Sequence, residues 1–283
     1  MNKKATILIT AFAIIAIGAL FIPMSACGHD KEPAQSDVGA TTPGYKPEDI
    51  DFELLESVVT NPDMDEQIVH YKGFTVSFNA SMHLPNWVAW TITPDELENP
   101  LPREDNFRPD TKVAGCATLA DYKYSGYDRG HMAPSGDMRW HPEAMDNSCY
   151  LTNICPQLHS FNDGTWKYLE EKCRAVAKRD GYITVVCGPV LTQGFTNYIG
   201  ESPVPVPPSF FKVVYTPGGS KGPIVQGFLM PHLETIQGGT QATAVSVDKI
   251  EALTGHDFFH NLDDELENEL ESKSNFNYFS TGR

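Results

Sequence analysis

One stretch of the chain, Thr165–Asp180, carries a sustained helical pattern, and runs of strand-forming residues lie on both sides of it. Trp166, Leu169, Cys173 and Val176 recur at three-four-three spacing, while Glu170, Lys172, Lys178 and Arg179 fall mostly outside that stripe. Gly181 follows where a helix needs a residue tolerant of positive φ. Around it, Ile68–Phe78 reads as two short strands about Lys72-Gly73, and Trp87–Ile92 as a third. Tyr150–Ile154 and Ile183–Leu191 read as buried strands, and Phe210–Tyr215 and Ile224–Leu229 as a pair about a glycine-rich turn. Ser246–Leu253 is a short helix with Ser246 as N-cap and Gly255 as its stop. With few, scattered helices and no fixed repeat, the class is α+β. The expected architecture is a mixed or antiparallel central sheet with flanking helices, in one domain spanning residues 67–283.

The N-terminus carries a different signal. Lys3 and Lys4 precede an uncharged run from Ala5 to Ile22, and Ser25 and Ala26 lead into Cys27. A basic start, an apolar core and small residues before a cut site describe a secretory signal. The alternative is an N-terminal membrane helix, because the run is just long enough to span. Met24-Ser25-Ala26-Cys27 resembles a bacterial lipoprotein box. That resemblance implies a signal peptide over residues 1–26, lipidation at Cys27, and an exported protein anchored to the bacterial cell envelope. Residues 27–66 then read as an acidic flexible tether, with a net charge of −9 over 28–66. A second acidic block, 256–271, has seven acids and no base and reads as a solvated helix or tail. Cys116, Cys149, Cys155, Cys173 and Cys187 permit at most two disulfides in an exported chain, with the pairing open. No CxxC or HExxH pattern supports zinc.

Three short elements carry chemistry. In Asp128-Arg129-Gly130-His131, residues two apart share one face of an extended strand. A guanidinium that holds phosphate beside an imidazole that takes a proton suits attack of water on a phosphodiester. Asn162 stands ahead of the long helix, and Glu170 follows eight residues later on the same broad face. A neutral amide oxygen is a hard ligand that Mg²⁺ accepts while keeping most of its waters, and a nearby carboxylate can orient those waters. The polar loop from Arg103 to Asp110 offers Arg103 and Arg108, either able to clamp phosphate oxygens. Singly, each element has a plain structural reading: a core histidine, a helix N-cap, a solvated arginine. His256 and His260, four apart beside Phe258 and Phe259, read as packing residues.

Taken together, with the intervening TNICPQ stretch at Thr152–Gln157, the elements resemble the DNA/RNA non-specific endonuclease family. The resemblance starts near Tyr71 and runs past Leu191. It implies a ββα-metal nuclease fold and one divalent cation per site, Mg²⁺ with Mn²⁺ as a substitute. By matching position, His131 would be the general base and Asn162 the direct metal ligand. Glu170 would hold a water on the cation, and Arg129 and Arg103 would contact the phosphate. Asp128 and Asn153 would support the site. The implied activity is cleavage of DNA and RNA to 5′-phosphate ends with little base discrimination, and relatives are often homodimers. Two other readings remain: a surface lipoprotein that binds nucleic acid without cutting it, and a phosphodiesterase for small substrates.

Charge bears on that expectation. A net charge of −16 argues at first against a phosphate-binding surface. Residues 103–179, however, hold eleven basic and eleven acidic residues and are neutral overall. Local arginines and a cation can bind phosphate there whatever the global sign.

Overall fold

β-Branched and aromatic residues build most of the sheet, and turn chemistry sets its first register. Gly73, at φ +94°, turns β1 (Gln67–Tyr71) into β2 (Phe74–Asn79), so that Tyr71 faces Phe74. β3 (Leu84–Ile92) continues antiparallel, with an irregularity between Ser77 and Phe78. The structure, a computed structural model, describes residues 51–280. The apolar run 5–22, Cys27 and the rest of the segment up to residue 50 lie outside the described residues.

A short helix α1 (Phe52–Glu56) precedes the strands. After β3 the chain leaves the sheet and forms α2 (Leu119–Tyr122), β4 (Asp128–His131), α3 (Ser135–Met138) and α4 (Pro142–Ser148). It goes on through β5 (Ile154–Gln157), α5 (His159–Phe161) and α6 (Lys167–Asp180), then rejoins the sheet as β6 (Ile183–Pro189). A small pair, β7 (Tyr198–Ile199) and β8 (Val204–Pro205), is followed by β9 (Ser209–Thr216), β10 (Ile224–Pro231) and β11 (Ala244–Val245). Three helices close the described chain: α7 (Val247–Thr254), α8 (Asp264–Glu271) and α9 (Phe276–Ser280).

The main sheet runs β1-β2-β3-β6-β9-β10-β11, and every neighbouring pair is antiparallel. Both faces of its centre are covered, so β6 and β9 are buried throughout and read as near-continuous apolar runs. Alternation sorts their side chains between two cores. Trp90, Val185, Phe210 and Val214 pack with Ile154, Trp166, Leu169 and Cys173, beneath β5 and α6. Trp87, Val186, Phe211 and Val213 pack with Leu55, Ile250, Phe258 and Phe259, beneath α1 and α7. Each such aromatic or branched side chain stabilises the fold by about 1.5–3 kcal/mol on full burial. β4, β5 and α6 lie on the first face, and α7 and α8 on the second.

The expected strand over Tyr150–Ile154 is corrected. Leu151–Asn153 is a 3₁₀ turn closed by the Asn153 N–H donating to the Tyr150 carbonyl, and the strand begins only at Ile154. The apolar residues there are buried, which imitates a strand pattern, but the Asn153 side chain is spent on three bonds described below. The tether is corrected over its described part. Leu55 is buried, Val59 bridges Asp257, and Thr60 accepts from Trp87 Nε1. Asn61 donates its N–H to His256 Nδ1 at 3.1 Å and its amide to the Thr254 carbonyl at 2.9 Å. The folded body therefore starts before Gln67. The sequence shows only a short periodic stretch around Ile50–Val59, and these ties reach residues far along the chain.

The block 256–271 is likewise more than solvent-facing helix. Phe258, Phe259 and Glu271 are buried, and His256 is buried as a packing residue. Asp263 caps α8 by accepting from Glu265 and Leu266. The five cysteines of the described residues are free thiols, four of them buried. Among the described residues no helix is long and apolar enough to cross a membrane.

Candidate active site

β4 pairs antiparallel with β5, setting Arg129 opposite Pro156 and His131 opposite Ile154. Arg129 is exposed, Gly130 buried and His131 half-buried, which leaves arginine and imidazole on the outer face as the two-residue spacing requires. Gly130 is needed for closeness. A Cβ there would stand 2.1 Å from Gln157 Oε1, so a side chain would displace the buried Gln157 side chain. The segment after His131 is tied down by Asn153, whose Oδ1 accepts from Ala133 N–H at 2.8 Å. Its Nδ2 donates to the carbonyls of Ala133 and Ser148. Trp166 Nε1 donates to the His131 carbonyl at 3.1 Å, which couples the strand to the helical hairpin below it.

Asn162–Trp166 forms a π-helical turn, with Gly164 at φ −105° and ψ −114°, and regular helix starts at Lys167. The turn carries Asn162 away from the capping position open to it in the sequence. Its Nδ2 instead donates to Asp128 Oδ2 at 2.9 Å. A carboxylate only accepts, so the contact fixes the amide orientation and leaves Oδ1 for another partner. His159 Nδ1 pairs with the same Asp128 oxygen at 2.9 Å, and that bond raises the exposed imidazole's pKa. Asp128 thus holds the first residue of α5 and the residue that follows it.

Arg103, Arg129, His131, Asn162, Lys167, Glu170 and Arg174 line one cleft of about 230 Å³. A groove of about 600 Å³ shares Arg103, Arg129 and Asn162 with it and continues past Phe107, Tyr122, Lys123 and Tyr127. The structure therefore brings Arg103, Arg129, His131, Asn162 and Glu170 together, with Asp128 and Asn153 as their struts. Arg108 is elsewhere: its guanidinium pairs with Asp146 and stacks on Tyr150, 4.0 Å from the ring centroid. A larger cavity of about 750 Å³, between Phe52–Val58 and the β1–β2 hairpin, holds none of these groups.

Three further residues reach the site without having been singled out from the sequence. Arg174, one turn after Glu170, donates to Asp137 Oδ1 at 2.7 Å; Asp137 is buried and also accepts from Trp90 Nε1. Lys167 pairs with Asp163 at the cleft rim. Lys212 is buried in β9, with Nζ 4.3 Å from the Trp166 ring and 5.2 Å from Trp90. The i+4 position of Arg174 was a signal open to sequence reading. Lys212 had none, since a lone lysine in a strand reads as an exposed edge.

The electrostatics follow from this packing. Burial pushes the His131 pKa down to about 3, with Arg103 and Arg129 adding to the effect and Asp105 opposing it. The imidazole is accordingly neutral near pH 7 and well below its ordinary value of about 6.5. Its Nε2 is buried with no hydrogen-bond partner among the described residues. Phe107 lies between the two key groups, 5.2 Å from the His131 ring and 4.2 Å from the Arg129 guanidinium. Burial pushes Glu170 up to about 7, against the pull of Lys212 and Arg174. One neutral amide oxygen, a carboxyl nearby and an open cleft suit a largely hydrated hard cation such as Mg²⁺.

Residues 54–265 match the model of the DNA/RNA non-specific endonuclease family. The chain is 31% identical to "Nuclease 1, mitochondrial" of Schizosaccharomyces pombe, over 90% of this chain and 88% of the relative. It is 34% identical to a nuclease of Nostoc sp., over 74% of this chain and 79% of that one. A solved structure described as the EndoG/EndoGI complex superposes with a TM-score of 0.66 at 24% identity, covering 70% of this chain and 88% of that one. That likeness is one of fold, and it agrees with the antiparallel sheet and the β4–β5–α6 arrangement. The chain belongs to the DNA/RNA non-specific endonuclease family, and with it to the metal-dependent phosphodiester hydrolases.

Proposed function

We propose that the chain is a Mg²⁺-dependent endonuclease that hydrolyses DNA and RNA without sequence selection and leaves 5′-phosphate ends. The carrying observation is the buried, unpartnered Nε2 of a neutral His131, facing a cleft that also holds Arg103, Arg129 and Asn162. In this reading Arg129 and Arg103 grip non-bridging oxygens of the scissile phosphate. His131 Nε2 takes a proton from the attacking water as its oxygen bonds to phosphorus. The bond to the 3′-oxygen breaks, its electron pair goes to that oxygen, and solvent supplies the proton. Asn162 Oδ1, with Glu170 beside it, would hold a divalent cation, which would supply charge stabilisation in the transition state.

An imidazole held near 3 mainly by burial is a weak base, and the substrate offsets the part of that shift that comes from the arginines. The phosphodiester's negative charge offsets Arg103 and Arg129, two of the groups that depress His131, so binding raises its pKa. The groove that extends beyond the cleft favours a polymer over a small diester. Contacts confined to phosphates account for indifference to sequence.

The test is plasmid DNA and a structured RNA incubated with the protein and Mg²⁺, with and without chelator. Cleavage of both that stops on chelation, with phosphate on the 5′ ends, is expected. Binding without cleavage at any metal or pH would discard the enzymatic reading, and hydrolysis of a small chromogenic diester alone would replace the substrate. The reading extends to location: export and a lipid anchor at Cys27. Cys27→Ala should release the protein from the membrane fraction or block its maturation, whereas unchanged membrane association with the leader retained points to a spanning helix.

A further inference from the structure

We propose that Asp248, Glu251 and Glu271 form a second cation site, for a hard divalent ion of calcium's size, that braces α7 against α8. The three residues each present a carboxylate oxygen within 4.8 Å of the others. Ligands on opposite sides of a Ca²⁺ ion stand about 4.6–5.2 Å apart, given Ca–O distances of about 2.3–2.6 Å, so one coordination sphere can hold all three. Asp248 and Glu251 lie in α7 and Glu271 ends α8, and both helices pack over β10. This is the face of the sheet opposite the active site, since Val247 and Ile250 belong to one core and Trp166 and Leu169 to the other.

An acidic cluster alone is common on surfaces. What sets this one apart is Glu271. Its residue is 3% exposed, and its Oε1 is buried with no hydrogen-bond partner among the described residues. Buried polar atoms are rarely left unsatisfied, and a carboxylate least of all. Its position makes matters worse, because the last residue of a helix sits among carbonyls whose dipoles repel an anion. Among the described residues no ion pair offers relief. Lys273 pairs with Glu269, and no ion pair among the described residues reaches Asp248, Glu251 or Glu271. Glu251 accepts from the Phe258 N–H at 2.8 Å, which holds its carboxyl in place and leaves the second oxygen to a ligand. All-protein carboxylate sites of this sort suit Ca²⁺ better than Mg²⁺, which keeps its waters.

The experiment is thermal unfolding of the whole protein in chelator and in millimolar CaCl₂, alongside calorimetric titration with Ca²⁺. It is done in the wild type and in Asn162→Ala, which disables the proposed active-site ligand. An increase in Tm of about 3–8 °C is expected in both. Glu271→Gln should leave Tm in chelator near the wild-type value, because the buried carboxyl is already protonated without a cation, and should lose the calcium increment. Asp248→Asn, at an exposed position, should weaken calcium binding without disturbing the fold, so it carries the test if Glu271→Gln misfolds. A calcium increment equal to wild type in Glu271→Gln or Asp248→Asn would overturn the proposal. So would the absence of any increment in Asn162→Ala.

Discussion

The two faces of the central sheet treat buried acid in opposite ways. On the active-site face Glu170 is flanked by Lys212 and Arg174, and Asp137 pairs with Arg174 at 2.7 Å. On the other face Glu271 lies with Glu251 and Asp248 and has no basic ion-pair partner among the described residues. Both carboxyls titrate high, Glu170 near 7 and Glu271 near 9, and burial is the first cause in each. The difference is what the protein sets beside them. The first face supplies its own cations and remains electrically balanced, ready for an anionic substrate. The second concentrates acid where helices close the fold, so its net charge there bears on stability and hardly on the phosphate-binding cleft.

The sharpest break between the faces is activity against stability. His131→Ala should lower cleavage by about 10²–10⁴-fold while leaving the urea midpoint nearly unchanged; wild-type turnover from that variant would discard the base assignment. The same residue makes a pH prediction. The acid limb of kcat/KM reports the free enzyme, where His131 titrates near 3, and that of kcat reports the complex, where the phosphate raises it. The kcat limb should therefore lie at higher pH, and coincident limbs would remove the substrate-assisted shift.

Next comes His256, on the second face, which burial pushes down to about 4 against a bond to the Asn86 backbone. Its folded pKa is below the unfolded value of about 6.5, so its contribution is complete above pH 6.5. It is lost as the pH falls toward 4, amounting to about 3 kcal/mol in all. Denaturant unfolding of wild type and His256→Asn between pH 7.5 and 4 measures this. The variant should show the shallower slope through that window, and parallel curves would contradict it. Activity per folded molecule should be the same in both.

A smaller effect is expected at Asp128. Asp128→Ala frees the Asn162 amide and should raise the Mg²⁺ requirement by about 10–100-fold, as loss of a ligand's hydrogen-bonding partner does. A metal titration of cleavage reads it, and an unchanged midpoint would reduce Asp128 to a strut for His159. Smallest is the N-terminal acid. Deleting 28–50 removes a net charge of only −3 and should lower KM by less than about tenfold, most visibly at low salt. Extending the deletion through 66 removes Leu55, Thr60 and Asn61 from the body, so unfolding, not tighter binding, is the expected result.

The β1–β2 hairpin, β3, β6, β9, β10, α6 and α7 were legible because their signals are local: alternation, helical spacing, a left-handed glycine at Gly73, a Ser246 cap closed by Gly255. His131, Asn162 and Glu170 were legible as a pattern of spacing, and Arg103 could be separated from Arg108 only by seeing which lined the cleft. The 3₁₀ turn at Leu151–Asn153 and the π turn at Asn162–Trp166 were not legible. Both depend on side-chain bonds to residues distant along the chain, Asn153 with Ala133 and Asn162 with Asp128. The docking of residues 51–66 escaped for the same reason.

Residue order alone determined the α+β class, the family and the candidates for the reacting groups, because these rest on short-range pattern and on which side chains are present. Tertiary structure decided their state. Burial, with Arg103 and Arg129 beside it, lowered the pKa of His131, and Asp128 gave Asn162 a single amide orientation. The fold also placed Lys212 beneath Glu170 and left Glu271 without a cation. Burial and partnership are properties of three-dimensional neighbours, and desolvation turns the same carboxyl or imidazole into a different chemical group.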